Sequence, residues 1–166
     1  MRLPRDYDAV VPFPAMRVGL RTEAENIAQI VYLPSSIPLE PPRNRLAERA
    51  ARQLERYLAD PDFRFELPLA AAGTRFQCRV WNAIGAIPRG RALTYGQMAK
   101  ALRSAPRAVG QACGANPLPL VVPCHRVVAA NGLGGFAGHG EGFHLEVKRW
   151  LLRHECWQEE RPKSRL

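Results

Sequence analysis

Two adjacent side chains, the thiol of Cys124 and the imidazole of His125, are the residues of this chain best suited to chemistry. A thiolate is the attacking form of cysteine, and with an ordinary pKa of about 8.5 the thiol needs a nearby base or positive charge to reach it. Imidazole can be that base when a third group holds it in the working orientation. The pair stands in residues 120–128 between two apolar runs, so the local reading is a buried strand in which Cys124 could equally serve as a small hydrophobe. Pro123 argues for chemistry, because it cannot donate to a ladder and the strand must end or lie at an edge where Cys124 emerges. Neighbouring side chains of an extended segment point to opposite faces. His125 should therefore not touch the sulfur directly, and a bend or a bridging water has to link them.

The surroundings of the pair are basic. The chain has 166 residues and a formal net charge of +9. From residue 67 to residue 140 there is no Asp or Glu, whereas Arg75, Arg79, Arg89, Arg91, Lys100, Arg103, Arg107 and Arg126 supply eight positive charges. A solvated face accounts for many such windows; around a candidate active site it points to a polyanionic partner, nucleic acid first. The four cysteines, Cys78, Cys113, Cys124 and Cys156, show no Cys-x-x-Cys spacing, and nothing before Cys78 is Cys or His. A structural zinc site in the N-terminal part is not expected, and no metal or cofactor is assigned. Residues 1–10 mix charges with a proline instead of forming a signal segment, and no run approaches a membrane span. The expectation is a soluble, cytoplasmic protein with reduced thiols.

The elements that must hold the pair follow from periodicity. Short apolar segments at residues 9–11, 16–20 and 27–33 read as a small antiparallel sheet. After a proline-rich link at residues 34–42, Leu46, Ala50, Leu54 and Leu58 recur every four residues and predict an amphipathic helix stopped by Asp60-Pro61. Thr74 with Gln77, and Thr94 with Gln97, fit the capping box and predict two helix starts. The first helix carries Phe76, Val80, Trp81 and Ile84 on one face, and the second is short, from Tyr95 to Leu102. Beyond a break at Ser104 to Pro106, a further short helix is expected from Arg107 to Gly114, closed by Asn116-Pro117. Two short helices joined by a tight turn in a basic region read as a helix-turn-helix, although such pairs also occur as plain packing units. The second is built of small residues, which let a nucleic-acid backbone approach without specifying sequence, and its lone Arg107 suits insertion into a base stack. Residues 129–142, rich in glycine, read as a loop over the site, and a last helix is expected from about Phe143 to Glu155 with Val147, Trp150, Leu151 and His154 on one face.

Taken in order, Gly73-Thr74-Arg75-Phe76-Gln77, Val80-Trp81, Ile87-Pro88-Arg89-Gly90, Thr94-Tyr95-Gly96, Arg107-Ala108-Val109-Gly110, Asn116-Pro117 and Pro123-Cys124-His125-Arg126-Val127 resemble the O6-alkylguanine-DNA alkyltransferases. The likeness is dense from Gly73 to Glu155 and agrees only in pattern before that. It implies that Cys124 takes an alkyl group from O6 of a damaged guanine in double-stranded DNA, directly and irreversibly, with His125 acting through water as base and Glu155 orienting it. It also implies that Tyr95 and Lys148 sit near the transferring centre. The DNA-binding set it implies is Arg107, which would fill the gap left by the flipped base, with Tyr95 crowding the phosphate, and Thr94, Ala108, Gly110, Arg75 and Arg89. The substrate pocket would use Val127, Phe136, Ala137, Asn116 and Arg126, with the carbonyls of Cys124 and Val127 accepting from the guanine amino group and Asn116 acting as a hinge. Arg126 and the basic window could also help to ionise the thiol. Departures are a shorter turn before Arg107, Phe136-Ala137-Gly138-His139 where a serine hydroxyl is usual, and a longer loop between Gly138 and Lys148.

The resulting expectation is an α/β fold in two parts, residues 1–70 as a small N-terminal antiparallel sheet with one helix, and residues 71–166 as a mostly helical DNA-binding and alkyl-acceptor domain with a helix-turn-helix, acting as a monomer. A non-catalytic binder of alkylated DNA that recruits other repair factors is the alternative, and the retained Cys124 argues against it. A transcriptional activator would need an additional cysteine-rich zinc-binding region. A Cys-His hydrolase would leave the basic window and the Arg107 helix unexplained.

Overall fold

The computed structural model describes residues 6–70, 72–135 and 142–158. Alternation of apolar residues forms three strands, β1 (Ala9–Phe13), β2 (Met16–Glu23) and β3 (Asn26–Leu33), paired antiparallel in the order β1-β2-β3, as the sequence pattern predicts. Helix α1 (Arg45–Ala59) starts at Asn44, whose side chain accepts from the Ala47 amide, and ends at Asp60. Its buried stripe is Ala47, Ala50, Ala51, Leu54 and Tyr57, turned slightly from the expected four-residue repeat; Leu46 and Leu58 are only partly buried. The small alanines let the helix lie close to the sheet.

Both capping boxes are present. Thr74 opens α2 (Arg75–Gly85), and Thr94 opens α3 (Tyr95–Leu102), each accepting from the amide three residues on while that glutamine returns the bond. Helix α4 (Pro106–Gly114) begins one residue earlier than expected, because a proline in the first turn forfeits only an amide that would be orphaned anyway. Between α3 and α4, Arg103 occupies the left-handed region at φ 53°, closing the helix-turn-helix tightly; a residue with a Cβ is disfavoured there by about 1 kcal/mol.

Residues 120–128 correct the strand reading. Cys124–Arg126 form a single 3-10 turn, and only Val127–Val128 (β5) is extended, paired in parallel with β4 (Leu93–Thr94). The reason is where the backbone bonds go. Pro123 has no N–H to give to a ladder, the Val122 carbonyl is taken by the Asn116 side chain at 2.9 Å, and the Cys124 carbonyl accepts from the Val127 amide within the turn. The turn supplies the bend that an extended chain lacked. Helix α5 (Phe143–His154) follows and ends on Glu155. One apolar core runs through both parts, joining Val18 and Leu20 of the sheet to Leu54, Ile84, Val109 and Leu151, and the Ile30 amide donates to the Pro117 carbonyl at 2.9 Å across them.

Candidate active site

The 3-10 turn buries Cys124 and His125 side by side in sequence, beneath the C-terminal end of α5. His125 is 1% exposed, and its Nε2 lies 2.8 Å from Oε1 of Glu155, itself fully buried. Oε1 also accepts from the Tyr57 hydroxyl at 2.8 Å and from Arg126 Nη2 at 2.9 Å, while Arg126 Nε reaches Oε2 at 2.9 Å. Burial pushes the Glu155 carboxyl up, but the bonds and charges of His125 and Arg126 outweigh it and hold the group well below the usual carboxylate range. Burial is the largest effect on His125 and lowers it; the Glu155 carboxylate opposes this, and Arg126 and Lys148 add to it, leaving the ring neutral near pH 7. With a carboxylate opposite, Nε2 carries the proton, and Nδ1, which has no hydrogen-bond partner among the described residues, is the basic nitrogen.

Around the sulfur, Asn116 Nδ2 donates to Cys124 Sγ at 3.1 Å and to the Val122 carbonyl at 2.9 Å, while its Oδ1 accepts from the Leu118 amide. One side chain thus ties the end of α4 to the turn and donates to the Cys124 sulfur. Cys113, a buried thiol on α4, is the other group acting on this sulfur. Its contact is the first cause raising the Cys124 thiol, ahead of burial, and the same contact lowers Cys113; Asn116 and Lys148 pull Cys124 back down. Two thiols sharing one site resist ionising together, so Cys124 rests as a neutral thiol.

Lys148 is fully buried and donates to the carbonyls of Val127 at 2.7 Å and Gly135 at 2.9 Å, with its Nζ 5.7 Å from the centre of the Tyr95 ring. Burial lowers its ammonium to about 8. Tyr95 donates to the Gly135 carbonyl at 3.0 Å, and burial first, then Cys113 and Cys124, raise its phenol. These bonds fold residues 129–135 against α3, where Gly134 (φ 71°) has Ala129 N and the Tyr95 ring 3.0 Å from the site of a Cβ. Phe136 and Ala137, and the longer loop through His139, lie outside the described residues.

Two expected arginines are engaged elsewhere. Arg126, read as a pocket residue and a charge for the thiol, spends its guanidinium on Glu155 and on the Ile87 carbonyl at 2.6 Å; the cation acting on Cys124 is Lys148. Arg89, read as a DNA contact, forks onto Asp62 and donates to the Glu155 carbonyl at 3.2 Å. Both are drawn to acidic groups that only the fold brings near. Arg107 is exposed on the first turn of α4, Arg75 is exposed at the start of α2, Thr94 caps α3, and Ala108 and Gly110 are half-buried on α4. A Cβ on Gly110 would meet nothing nearer than the Tyr95 ring at 4.0 Å, so internal packing does not require this glycine. No three His, Cys, Asp or Glu side chains converge on a metal position among the described residues, and no helix among them is long and apolar enough to cross a membrane.

Residues 75–157 match the sequence profile described as the 6-O-methylguanine DNA methyltransferase DNA-binding domain. A methylated-DNA–protein-cysteine methyltransferase of Methanosarcina acetivorans is 36% identical over 156 residues, covering 90% of this chain and 97% of that protein. A protein of that name from Salmonella typhimurium is 52% identical over a shorter stretch, 54% of this chain and 51% of its own length. Among solved structures, the Mycobacterium tuberculosis O6-methylguanine methyltransferase superposes with a TM-score of 0.73 at 31% identity, covering 89% of this chain and 90% of that one. The same organism's protein in complex with DNA gives 0.72 at 32% identity, covering 89% and 91%.

Proposed function

The chain belongs to the methylated-DNA–protein-cysteine methyltransferase family, and we propose that it repairs O6-alkylated guanine in double-stranded DNA by moving the alkyl group, once and irreversibly, onto Cys124. The observation that carries this is the neutral His125, anchored through Nε2 by Glu155 with Nδ1 left basic, next to a thiol that receives the Asn116 amide at 3.1 Å. A water between Nδ1 and Sγ would pass the thiol proton to His125, and the imidazolium formed would be stabilised by the Glu155 carboxylate. The thiolate attacks the alkyl carbon as the bond from carbon to O6 breaks, and the electron pair leaves with the guanine. Lys148, charged below about pH 8, is the cation beside that event. The product is a thioether, a poor leaving group, so the protein is consumed.

A target atom inside a duplex is out of reach, and the nucleotide must be extruded. Arg107 would fill the gap, a role its exposure on α4 supports, and Tyr95, Thr94, Ala108, Gly110 and Arg75 would lie along the backbone. The Val127 carbonyl keeps one lone pair beside Lys148 for the guanine amino group. We assign DNA binding and alkyl acceptance to residues 71–166 and a supporting role to residues 1–70, in a cytoplasmic monomer that needs no cofactor. Incubation with duplex carrying O6-alkylguanine, followed by peptide mass mapping, tests the reading. One alkyl group per chain on Cys124, and none transferred by Cys124→Ser that still binds the lesion, supports it. Sustained turnover, or tight binding with Cys124 unmodified, overturns it.

A further inference from the structure

Glu155 Oε1 accepts from three donors, and one of them comes from the far end of the sequence. His125 and Arg126 belong to the active-site turn, whereas Tyr57 stands in the last turn of α1, 98 residues from its partner. The Tyr57 ring is held against Phe65 at 5.7 Å and His154 at 5.0 Å, so its hydroxyl has little freedom to choose another acceptor. A buried hydroxyl needs a partner wherever it is. Here the partner is the very oxygen that anchors His125 Nε2. We infer that Tyr57 is a positioning residue for alkyl transfer: by donating to Glu155 Oε1 it fixes the carboxylate that orients His125, and it ties the N-terminal part of the chain to the proton relay.

This inference rests on the proposed transfer to Cys124. Burial, then the Glu155 carboxylate, keep the phenol protonated far above working pH, so the donor is permanent. Tyr57 is faced by Glu155, by Tyr32 of β3, by Arg126 of the turn and by His154 of α5; His125 is faced by Glu155, Arg126 and Lys148. A carboxylate oxygen that shares its electron density with one donor fewer attracts the His125 proton more strongly. Removing the hydroxyl should therefore stabilise the imidazolium and raise its titration midpoint by about one pH unit.

The test is Tyr57→Phe in the full chain, which keeps the ring and deletes the donor. The expected results are an upward shift of about one pH unit both in the His125 ring titration followed by NMR and in the acidic limb of the single-turnover rate, with the rate recovering at high pH. A uniform loss at every pH, or an unmoved His125 midpoint, overturns the inference. In a Glu155→Gln background the same change should add nothing; a further loss of equal size would show that Tyr57 does not act through Glu155. A ring-fluorinated tyrosine at position 57, a stronger donor of nearly unchanged shape, should move the midpoint downward, and an unchanged midpoint again overturns it. The ring titration needs no substrate, so a chain that fails to alkylate Cys124 would sink the proposed function while leaving the Tyr57 coupling to stand or fall by NMR.

Discussion

Replacing Glu155 with Gln removes one buried charge and leaves its partners facing an amide. Three of the four bonds to the carboxylate come from His125 and Arg126, and all of them lie out of contact with solvent on the Glu155 side. The amide keeps one acceptor oxygen, but its NH2 meets donors of Arg126 or His125, and the guanidinium loses its counterion. Breaking such a pair from one side typically costs about 3–5 kcal/mol. For a chain of this size that corresponds to a melting temperature lower by about 6–20 °C. The pH dependence has a definite sign. Glu155 is held below its ordinary value of 4.5, so the stability it contributes is present above that value and is lost as pH falls through the acid range. Glu155→Gln should therefore unfold at lower denaturant at pH 7 and show a flatter loss of stability between about pH 5 and pH 3. Denaturant unfolding at several pH values measures both. A loss below about 1 kcal/mol, the range of an exposed ion pair, with an unchanged acid slope, would refute the account of Glu155 as a buried, ionised anchor.

Cys113→Ala should remove the main effect raising Cys124, so that Cys124 reacts faster with iodoacetamide near pH 8 while still accepting one alkyl group; an equal or slower reaction would refute the suppression of Cys124 ionisation by its neighbour. Gly110→Ala should raise stability by about 0.5–1 kcal/mol, since the helix gains and the nearest atom is 4.0 Å away, yet weaken duplex binding; unchanged affinity would remove the close-approach role. Arg107→Ala should slow repair of duplex far more than reaction with free alkylguanine, by about tenfold or more given the few kcal/mol that base extrusion requires, and equal losses would refute the gap-filling role. Duplex affinity should also fall as salt rises, and salt-insensitive binding would count against the basic window as the DNA face.

Local chemistry made much of this protein legible before its fold. The two capping boxes, the alternating segments of the sheet and the stop at Asp60-Pro61 are decided within a few residues, and each appears where the pattern placed it. The same holds for the residue types of Cys124 and His125 and for the acid-free basic window. Tertiary structure decided how these parts are spent. An apolar run such as residues 120–128 reads as a strand because periodicity does not reveal that the Asn116 side chain takes the Val122 carbonyl and turns the chain into a 3-10 bend. Arg89 and Arg126 look like free cations until folding sets Asp62 at the surface and the buried Glu155 beside them, and which carboxylate a guanidinium meets depends on the fold rather than on its neighbours in sequence. Cys113 beside Cys124, and Tyr57 on Glu155, have no local signature at all, because contacts between residues on separate elements depend on how α1, α4 and α5 pack around one core.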